Sequence, residues 1–256
     1  MTGLTVVLAL PEQIKNCSVV DVRKRFESNL LQIIEETFVF TADEDYVTAR
    51  MLALTGMERM FFWAAAQALE KYFKAILLQQ GTSCKKENHS ITALINKYPT
   101  MFKFLNEVDC KPSNAFLEKT NSDWKGYWSI ESIEEFFSHI DKYGCVDNRY
   151  NQVGKEYDVS MLIILDRVVF AIQEHIFRSV DIKRKVEKLD KNLSIFFEKN
   201  NEVFSENDPP IPKFSNTVIH LERALKDCYG HSALYEQWLK DNIKINDRNI
   251  AFLKSL

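Results

Sequence analysis

The residues best suited to chemistry fall in one short stretch, Asn148, Arg149, Asn151 and Lys155, where amide, guanidinium and ammonium donors crowd together. Groups of this kind offer several N–H bonds to an anion, which makes them the candidate contacts for a phosphate or a nucleotide. Tyr150 lies among them, and Trp124 and Trp128 precede them with Lys125 and Tyr127 between. Flat rings in such company suit base stacking or a protein interface. A plainer role competes with each: Arg149 paired to Asp147 or Asp158 at a helix end, and the tryptophans filling a buried corner.

Splitting a phosphodiester without metal asks for more. A group titrating near neutrality must move the proton and a fixed cation must meet the phosphate charge, duties that suit His and Arg. Arg149 is followed by Tyr150 through Glu156 with no histidine among them. Arg167 with His175, and Arg223 with His231, each enclose seven residues. On one straight helix that offset sets the two Cα atoms about 12 Å apart and off a common face. Cys84 with His89, and Cys228 with His231, each form half of a zinc set, with no second pair at matching spacing. The sequence holds no glycine-rich phosphate loop, no His-Glu-x-x-His and no Gly-x-Ser-x-Gly. No metal and no cofactor are expected. Glu70 and Lys74, one turn apart in the favourable order, read as a helix-surface ion pair, and His89 as a capping or packing residue.

The elements that must position these residues are helices. Gly 7 and Pro 6 are few for 256 residues, and long Leu, Ile, Lys, Glu and Phe stretches favour an all-α chain. A net charge of -3 exerts no global pull on nucleic acid, so any RNA contact must be local. The basic run from Lys183 to Lys191 is interleaved with Asp181, Glu187 and Asp190 and reads as a solvated helix face. Five cysteines, an odd number at wide spacings, and an amino terminus without a leader pattern point to a reducing cytoplasm. The apolar stretch Leu4 to Leu10 is too short to span a bilayer, and no membrane contact is expected.

Apolar residues recur at three- and four-residue steps from Val20 to Phe38, after an irregular or strand-like lead-in over 1–18. Thr41-Ala42-Asp43-Glu44 resembles an N-cap with first-turn acids, which predicts a new helix over 43–54. Gly56 would end it, and a longer helix from Met57 would stop at Gly81. Short helices are expected over 89–98, 100–108 and 112–119, then longer ones over 130–143 and 158–180. Beyond them lie 181–203, 216–228, 232–241 and 247–253, interrupted by the prolines near 205–212.

Three stretches share a recognisable pattern: Ala49-Arg50 in the first hairpin helix, Gln67-Ala68-Leu69-Glu70-Lys71-Tyr72-Phe73-Lys74-Ala75 in the second, and His89 with Ile91 two positions on. Their order and spacing resemble the HEPN family, and Asn148-Arg149-Tyr150 is similar to an Arg-Tyr element near the family's last bundle helix. The resemblance implies an up-and-down helical bundle over 43–180, flanked by an amino-terminal extension, 1–42, and a carboxy-terminal helical extension, 181–256. It further implies homodimers, and roles in RNA cleavage, nucleotide binding, toxin–antitoxin pairs or phage defence. HEPN ribonucleases carry a His four to six residues after the Arg, which Arg149 lacks. The expectation is therefore a binding or assembly module for RNA, a nucleotide or a protein partner. The alternatives are a divergent metal-independent ribonuclease using Arg149 with Tyr157 or a distant histidine, and a structural helical scaffold.

Overall fold

The structure, a computed structural model, describes residues 6–18, 20–114, 117, 128–145, 148, 157–180 and 232–243. The chain is all-α, and among the described residues there is no strand. Among the described residues the helices are α1 (Glu12–Lys15), α2 (Val20–Ile34), α3 (Phe40–Leu54), α4 (Glu58–Gln79), α5 (Ile91–Lys97), α6 (Ile133–Gly144), α7 (Val159–Val180) and α8 (Ser232–Asn242). A π turn, Glu35–Val39, joins α2 to α3, and a 3₁₀ turn spans Lys103–Glu107.

Two compact units make up the fold. The first draws on Met1–Ala42, Lys71–Asn88 and Asn216–Leu256, the second on Asp43–Glu70 and His89–Ser215. Helix α4 therefore serves both, giving Glu58–Glu70 to one and Lys71–Gln79 to the other.

In the first unit, α2 buries Phe26, Leu30, Ile33 and Ile34, the stripe its periodicity predicts. Tyr235 of α8 stacks on Phe26 with centroids 4.3 Å apart, and its hydroxyl accepts from Asn29. The carboxyl end of α8 is closed by Cys84, whose amide donates to the Asn242 carbonyl, and by the Ser83 hydroxyl, which donates to Asp241. Residues 6–10 run irregularly, with the Val7 amide donating to the Gln79 carbonyl.

The second unit is an antiparallel helix pair with further helices packed on it. Gln173 of α7 donates to Asp43 of α3, while Tyr46 and Arg50 of α3 both reach Asp166, so the numbering rises on one helix as it falls on the other. Helices α3 and α4 are joined by a tight turn whose Gly56 has φ 75. Gly56 N–H bonds to Ala53 and Met57 N–H to Leu52, which satisfies carbonyls that the helix end would leave bare. Gly81, φ 70, ends α4 by the same pattern with Thr82 and Leu77, as its position after a long apolar helix predicts.

Three readings differ from the sequence expectation: the lead-in holds a helical turn, Glu12–Lys15, after Pro11; the short helix expected over 100–108 is the 3₁₀ turn Lys103–Glu107; and the start of α3 is displaced. No helix begins at Asp43: the π turn carries α2 directly into α3. The Thr41 hydroxyl donates back to the carbonyls of Thr37 and Phe38, as mid-helix threonines do, instead of capping a helix. Asp43 is 1% exposed and bonded to Gln173, so tertiary pairing, not the helix dipole, fixes its place.

Candidate functional site

Where α6 ends against α4, a cleft of about 200 Å³ opens, lined by Arg59, Met60, Trp63, Tyr143, Cys145 and Asn148. Its shape follows from one residue. A Cβ on Gly144 would lie 2.5 Å from the Phe62 carbonyl oxygen and 2.8 Å from the Ala66 Cβ, so only glycine admits this approach. The close crossing sets Tyr143 and Cys145 beside the first turns of α4, which carry Arg59, Met60 and Trp63. Asn148 closes the wall: its side-chain amide donates to the Tyr143 carbonyl and its backbone N–H to Cys145. It is 2% exposed, so it shapes the cleft more than it offers donors to a ligand.

The cleft is chiefly apolar, lined by the Trp63 and Tyr143 side chains, with Arg59 the cation among its lining. Arg59 is exposed, and the Lys142 ammonium lies 4.7 Å over the Tyr143 ring. Met57 and Met60, 53% and 40% exposed, leave further apolar surface at the start of α4. A planar anion suits such a place, its ring against the aromatics and its charge toward guanidinium or ammonium. Of the residues singled out from sequence, Asn148 lines this cleft, whereas Arg149, Tyr150, Asn151, Lys155 and Trp124 lie outside the described residues. Trp128 stands elsewhere, 8% exposed, its indole N–H donating to the carbonyls of Cys110 and Ile130. It is a packed interior residue, not an open stacking platform.

The histidines resolve into distinct roles. Arg167 and His175 do not form a couple: Arg167 donates to the carbonyls of Asp109 and Lys111, while the His175 ring stacks on Phe104 at 4.0 Å. Burial holds the His175 pKa below its ordinary value. Tyr157, weighed as a proton carrier, packs edge-on against Phe61 and Phe62, and burial, with Glu58 and Asp158 adding to it, drives its hydroxyl pKa far above the ordinary value. A phenol so hard to ionise is a poor general base.

His89 does not cap α5. Ser90 is that cap, accepting from the Ala93 N–H, and Asp141 of α6 accepts from the Ser90 hydroxyl and from the Ile91 and Thr92 amides. The His89 ring sets Nδ1 2.9 Å from both carboxylate oxygens of Glu70, a contact that the spacing of Glu70 and Lys74 on α4 does not foretell.

Sequence reasoning passed over a fully enclosed charged group of the second unit. Arg50, 0% exposed, is bonded to Asp166, 1% exposed, and the Tyr46 hydroxyl donates to the same carboxylate at 2.6 Å. Burial works against the guanidinium charge, but Asp166 and Tyr46 outweigh it and raise the Arg50 pKa. The signal was present, since Arg50 occupies the face that buries Tyr46 and Val47, and Asp166 interrupts the apolar run Met161–Ile172. Among the described residues no cluster of three or more His, Cys, Asp or Glu is placed to hold a metal ion, and no helix is long and apolar enough to cross a membrane.

No family model, no curated protein and no solved structure matches this chain.

Proposed function

We propose that the chain is a HEPN-like helical module that binds a nucleotide, or a short single-stranded stretch of RNA, in the cleft between α4 and α6, and does not cleave it. The observation that carries this reading is the meeting of Asn148, next to Arg149 in the chain, with Arg59 and Trp63 in one cleft. The resemblance read from sequence agrees with it, and adds homodimers and a toxin–antitoxin or phage-defence setting to the proposal. Against cleavage stand the lack of a histidine after Arg149, the separation of Arg167 from His175, and the packing of Tyr157.

Equilibrium binding of AMP, ATP and a labelled oligoribonucleotide to the full chain tests the proposal. Trp63→Ala should weaken binding by about 1–3 kcal/mol, the worth of one base–aromatic stack. Arg59→Ala should weaken it too and flatten its salt dependence, since one phosphate contact is lost. Binding indifferent to both substitutions, or RNA cleavage abolished by Arg149→Ala, would overturn the reading.

A further inference from the structure

A histidine on a protein surface ordinarily moves among rotamers. His89 does not have that freedom. Its side chain is 70% exposed, yet Nδ1 is fixed on Glu70, whose own side chain is 7% exposed on α4. The backbone that follows is fixed as well, because Asp141 accepts from Ser90, Ile91 and Thr92 in succession. Ring and main chain are thus anchored from two different helices, while the far side of the ring faces water.

The tautomer follows from this geometry. A ring nitrogen 2.9 Å from two carboxylate oxygens must carry the hydrogen, so in the neutral imidazole the lone pair stands on Nε2. Bond formation at Nε2 makes the ring cationic, and the buried Glu70 carboxylate is placed to stabilise that charge through the Nδ1 hydrogen, as an orienting acid does in hydrolytic triads. His89 is not among the residues lining the Arg59–Trp63 cleft. A covalent acceptor needs only an open path to its lone pair.

We propose that His89 is a phosphoryl-accepting nucleophile preset by Glu70, taking its group from high-energy donors of the acyl phosphate or phosphoramidate class. The Nε2 lone pair forms the N–P bond, the donor's P–O or P–N bond breaks, and the leaving group departs with that electron pair. The Nδ1 proton stays on the ring, against Glu70. This activity is independent of ligand binding in the Arg59–Trp63 cleft.

The test is incubation of the full-length protein with phosphoramidate, followed by peptide mapping under alkaline conditions and NMR assignment of the modified nitrogen. His89 should acquire phosphate faster than any of the other histidines, and at Nε2. Glu70→Gln, which keeps the shape but removes the charge, should slow the reaction roughly tenfold or more, the worth of a charge-assisted hydrogen bond. His89→Gln should abolish the adduct, with an unchanged circular dichroism spectrum showing that the fold persists. Attachment at Nδ1, a rate at His89 no greater than at the remaining histidines, or a folded Glu70→Gln protein that reacts as fast as the parent would overturn the proposal.

Discussion

Two acid–base pairs in the second unit differ in how much water each member keeps. Arg50 and Asp166 are both enclosed, at 0% and 2% side-chain exposure, and Tyr46 fills a further acceptor site. Glu70 and His89 divide the burial, with the carboxylate inside and the imidazole outside. A pair enclosed on both sides can only hold helices together, because nothing reaches it. A pair enclosed on one side holds a reactive ring in position while leaving it open. The same electrostatic attraction thus serves architecture in one place and presentation in the other.

The largest effect should come from breaking the enclosed pair. Asp166→Asn leaves the Arg50 charge without its counter-ion in the interior and should lower stability by about 3–5 kcal/mol, read as a fall in the denaturant midpoint. Replacing both partners by apolar residues, Arg50→Met with Asp166→Leu, should recover most of that loss. A single mutant that unfolds like the parent would mean that water reaches the pair after all, and the contrast with Glu70–His89 would vanish.

Next comes the interior's lack of slack. Gly144→Ala drives a methyl group into the Phe62 carbonyl, a backbone atom that cannot step aside, and should destabilise by about 1–3 kcal/mol while loosening the wall of the cleft. Gly56 is the control: nothing lies within 4 Å of its Cβ position, so Gly56→Ala carries only the left-handed backbone penalty of about 1–2 kcal/mol. Ligand binding should weaken in the first variant and persist in the second.

These comparisons show which features were legible in the sequence. The helical class was readable because few glycines and prolines interrupt long apolar periodicities, and Gly56 and Gly81 stop helices for a local reason, their positive φ. The start of α3 was misread because Thr41-Ala42-Asp43-Glu44 is locally a good cap. Its true state depends on Gln173, far along the chain. The Glu70 contact with His89 was hidden for a similar reason. An i,i+4 lysine is visible in sequence, while the loop that returns His89 to α4 is not. Arg50 and Asp166 stood at apolar-face positions, a signal that a charge is buried, but nothing local pairs them.

A pH experiment sharpens the contrast between a half-buried and an open imidazole. The pKa of His175 is held below its ordinary 6.5 in the folded state, so the unfolded chain binds the proton more readily. Stability contributed by neutral His175 is complete above pH 6.5 and is lost as pH falls from there through the lower folded-state pKa. His175→Phe keeps an aromatic ring against Phe104 and removes the titrating group, so its thermal midpoint should decline less between pH 7 and pH 5 than that of the parent. Parallel curves for the two proteins would show that His175 protonates freely in place.

The smallest stability effect belongs to the open pair, and its smallness is what distinguishes the two. His89→Asn removes a partner that is 70% exposed, so water can replace much of what Glu70 loses, and the change should lie within about 0–1 kcal/mol. That sets it well below Asp166→Asn in the same unit. A melt displaced as far as that of Asp166→Asn would show that the ring is part of the frame, held for stability. A melt close to the parent's means that Glu70 fixes an imidazole whose removal hardly disturbs the fold, the arrangement expected of a group kept for its chemistry.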